Sequence, residues 1–415
     1  MPKKINSLIL FLSLGFVFTS CNGTTQASSN SSSGPIIASC NGNGDGNQAL
    51  PSASGINVLP ISLGNTNSIC GFDVPCTSVK ICTHGSTINC QTITNILIDT
   101  GSYGLRIFQS AINTGTVSLS TIRANDGSLA AECEQFGSAN TWGPVRGVDV
   151  VLGSEPVVSM TMQVIDSTFK TVPSVCQTPF APVTSPSAAG FNGILGVGLG
   201  EIDCGSACVT DVNNQQYFSC SDSGSTCQGA ALAETSQILN PVFTQSADNN
   251  GVIFQLPSIS PNGLSSTSGH LILGIGTRSN NAVSGSPTVF NADNQGYITT
   301  VFQGTTLSSS FLDSGSNGLF FPSSSLASCS SFGGFYCPST YQCLAGQMQS
   351  GSTQKTISFG AANLDSLGVE VANDATGQGS AGAFDWGLPF FFGRTVYTGM
   401  VGKSSTLGPG PLWAF

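Results

Sequence analysis

Charge is what this chain has least of. Of 415 residues only 11 are Lys or Arg and 21 are Asp or Glu, so 8% carry charge against a usual ~25%. Beyond Lys3 and Lys4 there is no basic run to follow a phosphate backbone, and the net charge of −10 repels one, which excludes nucleic acid as a partner. Histidine is nearly missing: a Ser-His-Asp triad would have to use His84 or His270, and no G-x-S-x-G elbow occurs. The absence of C-x-x-C excludes a thioredoxin-type redox site. Gly196, Gly198 and Gly200 do not complete G-x-G-x-x-G, so a dinucleotide site has no basis. Asn41 to Gly46 imitates a calcium loop without its first Asp or its twelfth Glu. No cofactor and no metal are expected. The apolar run Leu8 to Phe18 is too short for a permanent membrane helix.

What is present is a core-forming composition, 40% hydrophobic with 25 Phe. At roughly 150 residues per domain the length suggests two domains. Short alternating runs separated by Gly, Ser, Asn and Pro recur at Val58 to Leu63, Ile93 to Ile98, Val145 to Leu152, Val157 to Ile165, Val252 to Leu256, His270 to Leu273 and Tyr297 to Phe302. This is an all-β pattern. Helical spacing is confined to Ala230 to Leu239 and Ser323 to Ser328.

Residues 1–20 have the basic start, apolar centre and small residues of a signal peptide. Phe18-Thr19-Ser20-Cys21 resembles a bacterial lipobox, which implies lipidation at Cys21 and an exported chain: an outer-membrane or cell-surface lipoprotein, or a periplasmic or secreted protein. Membrane contact is expected only through that anchor. Residues 21–55, rich in Ser, Asn and Gly, read as a flexible tether. Setting Cys21 aside leaves fourteen of 15 cysteines, an even number that reads as a disulfide framework. A disulfide is also the reading for Cys82, against zinc bound with His84.

An internal repeat carries the functional signal. Ile98 to Phe108 reads I-D-T-G-S-Y-G-L-R-I-F, and Leu312 to Pro322 reads L-D-S-G-S-N-G-L-F-F-P. Two copies of one turn, each after an apolar strand, predict two related lobes facing each other. A third copy, Asp222-Ser223-Gly224-Ser225, has no strand before it and no Gly-Leu after it. Lying between Cys220 and Cys227, it reads as a disulfide-closed surface loop.

The two full repeats resemble the active-site turns of pepsin-like aspartic proteases. Asn192-Gly193-Ile194-Leu195-Gly196 resembles the strand behind the first turn, Trp142 to Gly153 the second flap strand, and Leu388 to Tyr397 the last strand pair. The G-L-R after the first turn and the F-D-W-G-L-P-F-F-F-G-R ending are similar to an uncharacterised family of exported bacterial pepsin-like proteins. The resemblance implies an all-β bilobal fold with residues 56–278 and 279–415 as lobes, a monomer, and a cleft that takes a protein or peptide. It also implies Asp99 and Asp313 as the catalytic pair, supported by Gly101, Ser102, Gly315 and Ser316, with Thr100 and Ser314 cross-linking the turns. Phe136, Gly137 and Ser138 would form the flap tip, with Trp142 behind it as a substrate-binding residue.

Three departures stand out: Phe136 where the family has Tyr, Asp385-Trp386-Gly387 in place of Ile-Leu-Gly, and Cys-rich insertions at 204–227 and 329–343. The activity implied is an aspartic endopeptidase. A pepsin-fold binding or inhibitor protein without turnover is the alternative, and a structural surface protein a third.

Overall fold

The structure is a computed structural model that describes residues 40, 50, 53–64, 69–367 and 372–415. The signal segment, Cys21, Asn41 to Gly46 and nearly all of the tether lie outside them.

Alternation decides the architecture, which is all-β. Val58–Leu63 buries every second side chain, and the other alternating segments form strands at Cys90–Asp99, Asn140–Val151, Val158–Ile165, Gly251–Leu256, Thr267–Leu273 and Ile298–Phe302. Sixteen strands join into one large sheet and seven into a second. The large sheet draws on both ends of the sequence, because Gly251–Leu256 pairs with Thr267–Leu273 on one side and with Arg394–Gly399 on the other.

Each sheet contains the same motif. Cys90–Asp99 turns back as Tyr103–Phe108, and Gly193–Val197 lies between them, parallel to the first and antiparallel to the second. Thr305–Leu312 and Leu319–Phe321 embrace Asp385–Trp386 in the same two senses. Register therefore makes Asp385 the counterpart of Ile194 and Trp386 that of Leu195.

Aromatic packing fills the second sheet. Phe384 stacks on Trp386 at 4.0 Å between centroids, and Phe302, Phe321 and Phe359 surround them. Such pairs add roughly 0.5–1.5 kcal/mol each beyond their buried area.

Neither expected helix forms as such. Ala230 to Leu239 contains only a 3-10 turn at Glu234–Ser236. Its peptide groups are taken by other segments: Ala230 N–H bonds the Tyr217 carbonyl, Leu232 N–H the Cys208 carbonyl and Ile238 N–H the Tyr217 hydroxyl. Ser323 to Ser328 is irregular, and Ser323 N–H bonds the Tyr336 hydroxyl. A helix does form at Pro186–Ala189, with Ser185 capping Ala188 N–H and Gly190 left-handed at its end.

Seven disulfides use all fourteen cysteines other than Cys21: 40–343, 70–76, 82–90, 133–176, 204–208, 220–227 and 329–337. That number belongs to an oxidising, exported environment. Cys40 lies within the stretch read as tether, yet it is buried and joined to Cys343. The chain is therefore fixed at that point. Among the described residues no helix is long and apolar enough to cross a membrane.

Candidate active site

The two D-[TS]-G-S turns meet, and each holds the other by backbone. Thr100 Oγ1 donates to the Leu312 carbonyl (3.1 Å) and accepts from Ser314 N–H (2.9 Å). Ser314 Oγ donates to the Ile98 carbonyl (2.9 Å) and accepts from Thr100 N–H (3.1 Å). Four bonds between residues more than 200 positions apart fix how the turns face each other.

Within each turn the carboxylate is held identically. Gly101 N–H donates to Asp99 Oδ1 (2.7 Å) and the Ser102 hydroxyl to Asp99 Oδ2. Gly315 N–H donates to Asp313 Oδ1 (2.8 Å) and the Ser316 hydroxyl to Asp313 Oδ2 (2.9 Å). The two glycines are required by space. A methyl on Gly101 would stand 2.6 Å from Asp313 Oδ1, and one on Gly315 would stand 2.6 Å from Asp99 Oδ1. Asp99 and Asp313 thus lie across from one another, within hydrogen-bond reach.

Both carboxyls are buried. Burial first, and the Asp99 charge second, push the Asp313 carboxyl well above the usual carboxylate range. Two charges so placed repel each other, which favours a proton held on Asp313. Such a pair contains a general base and a general acid at once.

The environment is less symmetric than the turns. Ile194 packs behind the first turn, but Asp385 stands behind the second, with Oδ2 2.7 Å from Ser316 Oγ. Asp385 is also buried, and burial raises its carboxyl well above the usual range.

The strands Leu129–Gln135 and Asn140–Val151 form the hairpin read as the flap, with Phe136, Gly137 and Ser138 at its tip. Phe136 turns inward among Phe108, Ile165, Val183 and Phe191. Trp142 has no exposed surface: its indole N–H donates to the Phe169 carbonyl at 2.7 Å and its ring packs edge-on to Phe218. It is not among the residues facing the nearby cavity. The hairpin presents Cys133, Glu134 and Gln135 there instead.

That cavity, about 820 Å³, is lined by Tyr103, Glu134, Leu199, Glu201, Asp203, Asp293 to Gly296 and Pro411, and by neither Asp99 nor Asp313. Tyr103 links it to the turns, following Ser102 in sequence. Burial, with the charges of Tyr297, Asp99 and Glu134, pushes the Tyr103 phenol up to about 12. Five of the chain's 21 carboxylates line this cavity (Glu134, Glu201, Asp203, Asp211 and Asp293), and no Lys, Arg or His does.

Behind the cavity wall lies a buried charge cluster that sequence reasoning missed. Arg106 Nη2 reaches Glu132 Oε1 at 2.6 Å, Asp203 Oδ2 at 3.1 Å and Glu134 Oε2 at 3.2 Å. The Gln216 amide N–H donates to the same three oxygens and Tyr217 O–H to Asp203. The carboxylates are close enough to ligate a metal, but the cation they hold is the guanidinium. Burial would lower Arg106, yet Glu132, Glu134 and Asp203 raise it, and it stays charged. Burial raises Glu132 well above its usual range despite Arg106. The signal was available: Arg and Glu standing inside the apolar strands G-L-R-I-F and A-E-C-E-Q of a chain with so few charges.

The third D-S-G-S copy is a surface loop closed by Cys220–Cys227, and Asp222, largely exposed, pairs with Arg123. His84 bonds Asp149 at 2.9 Å while Cys82 pairs with Cys90. His270 stands in the strand Thr267–Leu273.

No curated protein matches the chain. Residues 53–415, which contain both turns, the hairpin and Asp385, match a family described as "Protein of unknown function (DUF3443)", and the chain belongs to that family.

Proposed function

We propose that this protein is a pepsin-like, bilobal aspartic endopeptidase, exported and held at a membrane by a lipid on Cys21. The observation that carries the reading is the pair of turns, bonded reciprocally, with Asp99 and Asp313 facing each other. Surface turns have no need of such an arrangement.

A water bound between the carboxyls attacks the peptide carbonyl carbon. The ionised Asp99 takes its proton, while Asp313 gives the shared proton to the carbonyl oxygen. A tetrahedral diol results. Asp313 then regains a proton from one diol hydroxyl as the C–N bond breaks, and Asp99 passes its proton to the leaving amine. The dyad returns with one proton, and no acyl-enzyme forms.

The test is incubation of the purified, disulfide-bonded chain with an unfolded protein from pH 3 to 7, with fragments identified by mass spectrometry. Internal cleavage is expected on the acidic side of that range. A folded sample that cuts nothing moves the assignment to a pepsin-fold binding protein, the reading favoured by the inward-turned Phe136.

Two further results are expected. Gly101→Ala drives a methyl into Asp313, so the carboxyls separate and cleavage falls by about 10²-fold or more while the fold persists, which circular dichroism checks. Apart from Glu134 and Asp203, which Arg106 holds, the cavity beside Tyr103 is lined by the carboxylates of Glu201, Asp211 and Asp293, so peptides with Lys or Arg at the position that enters it are cut faster than the same peptides with Glu there. Paired synthetic peptides measure the ratio.

A further inference from the structure

One buried carboxyl close to the dyad has no part in the reaction just described. Asp385 Oδ2 lies 2.7 Å from Ser316 Oγ, which lies 2.9 Å from Asp313 Oδ2, and Asp385 Oδ1 has no hydrogen-bond partner among the described residues. A serine hydroxyl carries a single proton. It can donate to one of these carboxyls only, so the other must supply the proton for the second bond.

We propose that Asp385 is a positioning residue for the dyad, a proton holder that sets, through Ser316, which oxygen of Asp313 carries the dyad's shared proton. With Asp385 protonated, its O–H donates to Ser316 Oγ and the Ser316 O–H donates to Asp313 Oδ2. The outer oxygen of Asp313 is then occupied as an acceptor, and the shared proton stays on Oδ1, against Asp99. Once Asp385 ionises, the chain of bonds reverses: Ser316 donates to Asp385, and Asp313 places its proton on Oδ2, pointing at Ser316. The pair is then wrongly protonated for attack.

The asymmetry between the two turns supports this role. Ser102 donates to Asp99, and the residue corresponding to Asp385 is Ile194, which carries no proton. The ionisable groups acting on Asp385 are Asp313, by way of Ser316, and Asp99. The strands on either side contribute Phe311, Leu312, Leu319 and Phe320, all uncharged. Burial among them favours the neutral acid, consistent with its raised carboxyl.

The proposal rests on the aspartic endopeptidase reading for its rate prediction, and an activity-free measurement separates the two. In Asp385→Leu, Ser316 keeps its bond to Asp313 and no longer has a second carboxyl to serve, so the alkaline limb of the kcat/KM profile moves up by about one pH unit while the peak rate stays within a few fold. In a Ser316→Ala background the same substitution moves nothing, because the link is gone. A role in packing alone lowers the rate equally at all pH values. The infrared carbonyl stretch of a protonated, buried carboxyl is recorded at neutral pH in the unsubstituted chain, in Asp385→Asn and in Asp385→Leu. Loss of one such band in both variants supports the proposal even if the chain cuts no peptide. An unmoved alkaline limb, or an unchanged set of bands, overturns it.

Discussion

Asp313→Asn abolishes cleavage and leaves the protein at least as stable. The amide fills the same space but can neither hold the shared proton nor release it, and proton transfer of this kind contributes ~10²–10⁴-fold. Asp99→Asn has an effect of the same size, and the double variant is no worse than either single one, because the carboxyls act as one unit. Stability separates this result from misfolding. Asp313 is raised in the folded chain, so between the unfolded carboxyl pKa of about 4 and the higher folded one the native state binds more protons. Folding free energy therefore weakens as pH rises through that window. Asn removes this dependence, and Asp313→Asn should melt no lower than the parent at pH 7. Thermal unfolding at pH 4.5 and 7, beside the cleavage rate, checks both halves. Lost activity with a large fall in melting temperature would assign Asp313 to structure instead.

The largest effect on stability is expected at Arg106. Its guanidinium is completely buried and touches Glu132, Glu134 and Asp203. Arg106→Leu leaves three buried carboxylates without their cation, at a cost of about 3–5 kcal/mol. The sign with pH is fixed. Glu132 is already raised in the folded chain and rises further once Arg106 is gone, so the variant goes on losing stability with pH beyond the point at which Glu132 of the parent ionises and the parent's own loss levels off. Denaturant unfolding at pH 4 and 7 should show a small deficit in acid and a large one at neutrality. Equal deficits would mean that Arg106 acts through packing alone.

The sequence made the turns legible because each needs specific residue types for local reasons. Asp accepts from the N–H two residues on, Gly leaves room for the opposite carboxyl, and Ser reaches back to the outer oxygen. Gly196 and Gly387 were legible as well, since a methyl on Gly196 would strike the Tyr103 backbone and one on Gly387 the carbonyls of Ser316 and Gly318. The strands followed from alternation. Less legible were features that depend on distant partners. Residues 230–239 look helical in isolation, but their amides bond to Tyr217 and Cys208. Trp142, read beside the flap tip, belongs to a core built with Phe169 and Phe218. The Cys40–Cys343 bridge spans 303 positions, and no local pattern pointed to it.

The central claim is that Asp99 and Asp313 form a proton-sharing pair that binds the tetrahedral intermediate of peptide hydrolysis. Its most direct test is calorimetric titration of the disulfide-bonded chain at pH 4.5 with a statine-containing peptide, whose hydroxyl mimics that intermediate, in parallel with Asp99→Asn and Asp313→Asn. Tight one-to-one binding to the parent, weakened at least ~100-fold in both variants, is the predicted result. A correctly folded parent that binds the peptide no better than the variants do would contradict it.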